Sequence, residues 1–264
     1  MKNKFSIITV VKNDKSNILT TLSSVKNQNY SNYEHLVLDG NSSDGTSEII
    51  KKNLNKKIKY FCQKDKSLYD AINKGIFKST GDYVFLLHSG DFFYNSEVIN
   101  KINSNLVKNE DFLYGNLVYH KNFIINRIWR FSSEKLNHYN TFKIAHPTLT
   151  IKRKILKKIK YNKDFKISSD TDFLIRLLKI KKLRYKKLDE YFIFMISGGL
   201  STSLANLILK IREDVAIYYK HFNYIGILIY FYKILKKFNS LVVNKRNRKK
   251  LRFELIREYK KLQK

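Results

Sequence analysis

Asp65-Lys-Ser-Leu-Tyr-Asp-Ala-Ile-Asn-Lys-Gly-Ile76, followed at 80–91 by Thr-Gly-Asp-Tyr-Val-Phe-Leu-Leu-His-Ser-Gly-Asp, decides the fold. Leu68, Ile72 and Ile76 recur at helical spacing, so 68–78 reads as an amphipathic helix. Gly81 marks a turn, and the apolar run Tyr83 to Leu87 reads as a buried strand. That strand delivers Asp91 to the carboxyl edge of a sheet, where open α/β sheets bind their ligands. Working outward, Phe5 to Val11 is another short apolar strand, and His35 to Leu38 a third that runs into Asp39. Two carboxylates, Asp39 and Asp91, are therefore expected at one crevice, which suits a metal-assisted, nucleotide-handling enzyme.

Helical segments fill the gaps: Ser16 to Asn27 with Ile18, Leu22 and Val25 on one face, and Thr46 to Leu54. Ile58 to Cys62 supplies a further strand. Strands separated by helices of about ten residues imply right-handed crossovers and a mostly parallel sheet. The middle is less regular, with a strand predicted over Phe112 to Tyr119 and a helix over Asp170 to Leu178 whose acids suit the positive end of the helix dipole.

From Ser203 the texture changes. Leu204, Ile208, Ile211, Val215, Tyr218 and Phe222 repeat at helical spacing, and the segment to Lys264 holds 16 Lys and Arg against 4 acids. The chain divides into an α/β domain, 1–202, and a basic amphipathic helical extension, 203–264. Such a tail fits either a helix packed on the main domain or one lying on anionic lipid.

Composition bounds the rest. The 264 residues, 43% of them apolar, can fill a sizeable core. Lys and Arg total 52 against 22 Asp and Glu, a net charge of +30, so the surface attracts anionic partners: nucleic acid, lipid or a phosphorylated substrate. Part of this bias accompanies abundant Lys, Asn and Ile and carries no function. The single cysteine, Cys62, excludes an internal disulfide framework and a Cys-based zinc site, and reads as a small core residue of its strand rather than a nucleophile. Phe5 to Val11 closes on Lys12 and Asn13 without a small-residue cleavage site, so it is a strand and not a signal peptide. No run approaches the roughly 18 apolar residues of a membrane-spanning helix. A cytoplasmic protein, peripheral on the inner face of the plasma membrane, is expected.

The loop Asp39-Gly-Asn-Ser-Ser-Asp-Gly-Thr46 has two glycines in a tight turn and side chains able to cap the next helix. Together with the opening strand Ile-Ile-Thr-Val-Val-Lys-Asn (7–13), the 65–75 segment and Leu-Leu-His-Ser-Gly-Asp (86–91), it resembles the inverting family-2 glycosyltransferases of bacterial polysaccharide, O-antigen, lipopolysaccharide and capsule biosynthesis. The resemblance runs from Lys2 to about Ser203, with several motifs in the family's order. It implies a GT-A fold, α/β and Rossmann-like, that uses a nucleotide-sugar donor and Mn²⁺ or Mg²⁺.

Carried over residue by residue, it implies that Thr9, Val11, Asn13, Asp39, Asn41, Asp65, Tyr69, Asp70, Asn73, Lys74, Ser89 and Gly90 surround the nucleotide sugar, and that Asp91 holds the metal. His146-Pro147-Thr148 resembles an acceptor-side segment. Ser197-Gly-Gly-Leu-Ser201 resembles the mobile loop over donor and acceptor, giving Gly198, Gly199 and Ser201. Ile-Ser-Ser-Asp-Thr-Asp-Phe-Leu-Ile-Arg-Leu (167–177) resembles the helix start that bears the catalytic base, Asp170 first and Asp172 second. One departure is that His88-Ser89-Gly90-Asp91 has a single acid where many relatives have two. A hard cation still fits, since phosphates and water complete its shell around one or two carboxylates, and His88 could add a nitrogen suited to Mn²⁺. The expected donor is a UDP-sugar, with Asp39 accepting the uracil N–H, and the expected acceptor is lipid-linked or an oligosaccharide.

Two rival readings remain. Sugar-1-phosphate nucleotidyltransferases share the architecture but open with a Gly-rich, Arg-containing loop where this chain has Lys12-Asn13-Asp14-Lys15-Ser16. A basic nucleic-acid-binding module would use the charge and the 18 Tyr and 18 Phe. The aromatics fall in core patterns and no nucleic-acid motif is present, so no nucleic-acid partner is expected.

Overall fold

A computed structural model describes residues 2–131, 135–198, 204–238 and 245–263. The sheet begins as the periodicity predicts. β1 (Phe5–Val11) pairs in parallel with β2 (Tyr33–Asp39) and β4 (Tyr83–Leu86), and β2 pairs in parallel with β3 (Ile58–Cys62). The crossovers are α1 (Ile18–Lys26), α2 (Thr46–Lys52) and α3 (Leu68–Lys78). β1, β2 and β4 are almost wholly buried, which is why they read as continuous apolar runs.

Beyond β4 the sheet becomes mixed. After β5 (Phe92–Phe93) and α4 (Val98–Asn105) come the hairpin β6 (Phe112–Lys121) and β7 (Ile124–Trp129), then β8 (Thr150–Lys152), α5 (Arg153–Ile159), α6 (Ser169–Leu178) and β9 (Tyr185–Ile196). The order is β3-β2-β1-β4-β8-β6-β9-β5, with β7 on β6. β8 is antiparallel to β4 and β6, whereas β9 runs parallel to β6. Parallel pairing is thus concentrated in the first four strands.

Apolar clusters cover both sheet faces, one around Phe5, Phe85, Phe93 and Ile193, the other around Ile8, Leu38, Phe112 and Phe173. Each large side chain so buried contributes about 1.5–3 kcal/mol. Cys62, expected in the core, is exposed, because β3 is the sheet's edge and its outer positions face solvent.

The segment after 203 is built into this body. α7 (Leu204–Phe238) is broken at Asn223, whose φ of 53° and ψ of −142° are not helical, and its two arms fold back on each other. Tyr218 of the first arm meets Tyr230 of the second, and Asp214 meets Lys233. α8 (Lys245–Leu262), expected as part of a basic tail, buries Leu251, Leu255 and Leu262 against Phe92, Val118 and Phe194. Among the described residues no helix is long and apolar enough to cross a membrane.

Candidate active site

The strand ends of the parallel half open onto a cleft of about 1190 Å³. That volume exceeds what a single sugar needs. One wall carries Asp91. Its carbonyl accepts from Thr21 Oγ1 at 2.8 Å, and its carboxylate accepts from the Ile196 amide at 3.2 Å. Gly90 before it has φ of +89°, a conformation that favours glycine, and a Cβ there would press on Ile196 at 3.1 Å. Asp91 is 4% exposed. Burial pushes its carboxyl well above the ordinary range, and the nearby Asp14 carboxylate adds to the rise against the pull of the Ile196 amide.

Asp14 is the partner acid that sequence reasoning missed. It accepts from Ser89 Oγ at 2.6 Å and Asn17 Nδ2 at 2.6 Å, and it lines the cleft beside Ser89, Gly90 and Asp91. The available signal was its position just past the end of β1, as Asp91 lies past β4. Two carboxylates on one wall, one of them buried without a cation, form an oxygen-donor set that suits a hard divalent ion. Among the described residues no three His, Cys, Asp or Glu side chains form a ready-made metal cluster. The His88 ring borders the cleft and is pushed down to about 4, mainly by burial and then by His146, so it is neutral at pH 7.

Asp170 also lines the cleft, in the first turn of α6, where its carboxylate caps the Thr171 amide at 2.7 Å. The turn before it is gripped by Glu213 of α7, which accepts from the amides of Lys166, Ile167 and Ser168 at 2.7, 2.9 and 2.8 Å. Asp214 accepts from Thr171 Oγ1 and from Lys210 and Lys233, each at 3.3–3.5 Å. Burial opposes the Lys233 charge, yet Asp214, Tyr218 and Asp170 outweigh it and raise its pKa. Lys210 and Lys233 both line the cleft. Sequence reasoning missed them because a helical hairpin brings them in from far along the chain.

Asp172, expected as the second base, lies elsewhere. It is 1% exposed and bonded to Arg176 Nε at 2.7 Å and His221 Nε2 at 2.8 Å, away from the cleft lining. Positions two apart on a helix differ by about 200°, so Asp170 and Asp172 face opposite ways. Arg176 continues to the Ile159 and Lys160 carbonyls, so Asp172 ties α6 to the end of α5 and to α7. Burial would raise its carboxyl, but His221 and Arg176 hold it below the ordinary range.

Val11, Asn13, Asp65, Tyr69, Ser89, Gly90, His146 and Gly198 also line the cleft. Thr9, Asp39, Asn41, Asp70, Asn73 and Lys74 do not. Thr9 is buried against His35 at 2.9 Å. Asp39 is buried with both oxygens occupied, Oδ1 by the Ser42 amide and hydroxyl and Oδ2 by Ser47 and by Tyr60 at 2.8 Å. In this arrangement its carboxylate organises the loop after β2 and has no oxygen left for a uracil N–H; Gly40 takes its place at the cleft. Asn41 has φ of 63° and is contacted by the Cys62 thiol at 3.7 Å.

Lys74 is paired with Asp65 at 2.6 Å and Asp70 at 3.0 Å, behind the lining to which Asp65 belongs. Asn73 exchanges hydrogen bonds with the Tyr161 backbone at 2.8 and 2.9 Å. Tyr69 stacks on Tyr161, which stacks on Phe173, and the Tyr69 hydroxyl donates to the Ile167 carbonyl at 2.6 Å. The 65–75 segment is therefore a joint between α3 and the turn that carries Asp170. His146 Nε2 shares a hydrogen bond with Tyr161 OH at 2.7 Å. Gly199 and Ser201 lie outside the described residues.

A GT-A-type α/β enzyme is the class that this sheet and cleft define. Residues 6–181 match the model of "Glycosyl transferase family 2", and the chain belongs to that family. It is 34% identical over 121 residues to an uncharacterized glycosyltransferase of Rickettsia conorii, a region that is 45% of this chain and 19% of that protein. The chain thus spans less than a fifth of the length of that relative. A PGL/p-HBAD biosynthesis glycosyltransferase of Mycobacterium bovis is 27% identical over 180 residues, 65% of this chain and 68% of that one.

Among solved structures, S. aureus TarS in complex with UDP-GlcNAc superposes with a TM-score of 0.66 at 17% identity, covering 86% of this chain and 70% of that one. The Pyrobaculum calidifontis mannosyltransferase PcManGT, in complex with GDP-Man and Mn²⁺, gives 0.59 at 14% identity, covering 99% and 87%. Family membership favours the transferase over the nucleotidyltransferase reading.

Proposed function

We propose that the chain transfers a hexosyl group from a nucleotide-sugar donor, a UDP-sugar first, to an acceptor hydroxyl with inversion. The observation that carries this is that Asp91, Asp14 and Asp170 line one cleft, in a family-2 chain. Asp170 accepts the proton of the acceptor hydroxyl as its oxygen bonds to the anomeric carbon, and the bond from that carbon to the diphosphate breaks on the opposite face. A divalent cation held by Asp91 and Asp14 would supply charge stabilisation to the departing diphosphate. Lys210 and Lys233 add fixed positive charge to the Asp170 side. His146 and Gly198 border the acceptor end.

The acceptor is a lipid-linked or oligosaccharide species of surface polysaccharide synthesis, met at the inner face of the membrane. Support for this is the net charge of +30, which draws the chain to anionic lipid. A screen of sugar nucleotides for Mn²⁺- or Mg²⁺-dependent hydrolysis, preceded by thermal shift, tests the proposal. Release of UDP from at least one UDP-sugar, abolished by chelator, is expected; no turnover of any sugar nucleotide would overturn it.

A further inference from the structure

The second arm of α7, 224–238, turns one face inward and leaves the other in water. Inward, Tyr230 packs on Tyr218 and Lys233 reaches Asp214, while Gly226 lies against the Tyr218 carbonyl so closely that a Cβ would sit 2.1 Å from it. Outward, Tyr224, Ile225, Leu228, Phe231, Tyr232 and Leu235 are each 50–76% exposed. Their spacing places them on one helical stripe, about 17 Å long at 1.5 Å per residue. The inner face already fixes the arm, and beyond the ring edges of Tyr232 on Phe142 and Tyr224 on Tyr219 the stripe is left outside the packing; a grouped exposed apolar face marks an interaction site.

We infer that this stripe is the surface by which the protein docks on an anionic lipid bilayer. The inference rests on the reading above that the acceptor is lipid-borne, and it moves the apolar contact to the second arm of α7, since α8 turns its leucines onto the sheet and leaves charged residues such as Lys249, Lys250 and Arg252 outward beside Phe253. Charge chooses the occupant. A chain of net +30 repels a second copy of itself and is drawn to anionic headgroups. Exposed Lys220 lies near the hairpin turn, and Lys236 extends over the Tyr232 ring at 5.3 Å.

The residue types agree. Tyr224 and Tyr232 offer rings with polar tips suited to the headgroup level, with Ile225, Leu228, Phe231 and Leu235 for the acyl boundary. The stripe also adjoins the cleft: Tyr232 meets Phe142 edge-on at 5.9 Å, and Phe142 is part of the cleft's apolar wall. Docking therefore sets the mouth of the cleft against the bilayer. An acceptor hydroxyl on an apolar anchor would approach Asp170 along the Phe142 side.

Flotation of the full chain with vesicles of phosphatidylcholine alone, or with added phosphatidylglycerol, tests the inference. Binding should need the anionic lipid and weaken with salt, and Leu228→Glu with Phe231→Glu should lower partition by about tenfold or more. Sugar-nucleotide hydrolysis should be unchanged, since neither residue lines the cleft. Partition unaffected by the pair of substitutions would overturn the inference. So would a lipid-free dimer that these substitutions make monomeric, because the stripe would then belong to a second copy.

Should the doubly substituted chain fail to fold, an environment-sensitive label at Leu228→Cys in a Cys62→Ser background keeps the question decidable. Its emission should shift on adding anionic vesicles, while a label on the native Cys62, at the far sheet edge, should not. Equal response at both sites refutes the docking. Flotation without any sugar-nucleotide turnover would refute the transferase reading and leave the docking standing.

Discussion

Glu213→Gln separates the grip on the Asp170 turn from the rest of the fold. In the native chain Oε1 accepts from the Lys166 amide and Oε2 from those of Ile167 and Ser168, with Glu213 itself buried. A glutamine offers one oxygen. If that oxygen keeps the two amides, its NH₂ opposes the Lys166 N–H, so one donor is orphaned and two charge-assisted bonds become neutral. Lys166 is exposed and its bond part-buried, so the orphaned donor costs the low end, about 1 kcal/mol, and with about 1 kcal/mol for each weakened bond a loss of roughly 3 kcal/mol is expected. At about 2–4 °C per kcal/mol for a chain of this size, Tm should fall by roughly 6–12 °C.

Asp170 lies two residues past the last gripped amide. A displacement of about 1 Å costs on the order of a hundredfold in rate. Single-turnover transfer to a water-soluble acceptor, measured well below the new Tm, should fall by about that factor with the donor KM little changed. The Asp91 side of the cleft, proposed for the donor, is held by β4, β5 and β9, and Glu213 is not among the cleft residues. Glu190→Gln, in a rim pair with Lys101, is the control and should change Tm by no more than about 1 kcal/mol's worth. A lowered Tm with native transfer would show that the grip does not position the base, and an unchanged Tm that the three bonds contribute nothing.

Asp170→Asn should lose transfer by about a hundredfold to ten-thousandfold while still binding the donor, read by rapid quench and calorimetry. Asp172→Asn should instead unfold at lower denaturant, by about 3–5 kcal/mol, because it strands Arg176 and His221. Asp91→Asn should abolish Mn²⁺-dependent UDP binding in calorimetry without lowering apoprotein Tm, as an amide is cheaper to bury than a carboxylate; unchanged binding would remove Asp91 from the site. Deleting 245–264 should yield insoluble or partly unfolded protein on circular dichroism, since Phe92, Val118 and Phe194 lose their cover. His35 and His120 are pushed down to about 3 and 4 by burial and stay neutral when folded. The unfolded chain takes up their protons first, so stability should fall as pH drops from about 6.5 toward 4, and a flat Tm over that range would contradict it.

The strands β1 to β4 and helix α3 were legible because their signals are local: an apolar run, a 3.6-residue period, a glycine turn. Strand β8 and the return of β9 beside β6 were not, since a three-residue strand set between β4 and β6 and a long-range pairing leave no period to read. Asp39 looked like a ligand-facing acid because it ends a strand. Its occupation by Ser42, Ser47 and Tyr60 depends on a loop, a helix and a neighbouring strand closing together. The opposed orientation of Asp170 and Asp172 was readable from helical geometry alone. Lys210 and Lys233 were not, for nothing around Asn223 announces a turn: no proline is near and Gly226 is three residues on.

The cover that α8 lays over Phe92 sets an order in time. Ribosomes add about 5–20 residues per second, and roughly 160 residues separate Asp91 from Leu255. The parallel half can form early, yet the strand beside Asp91 waits on the order of ten to thirty seconds for its last neighbour. Once β9 has been made and has paired with β5, Phe92 and Phe194 face outward on an unfinished sheet until Leu255 follows about 60 residues later, the condition in which nascent chains recruit chaperones. Slow codons placed before 245 would lengthen the exposure, and yield of soluble protein should track the speed of translation through that stretch more closely than through the first hundred residues.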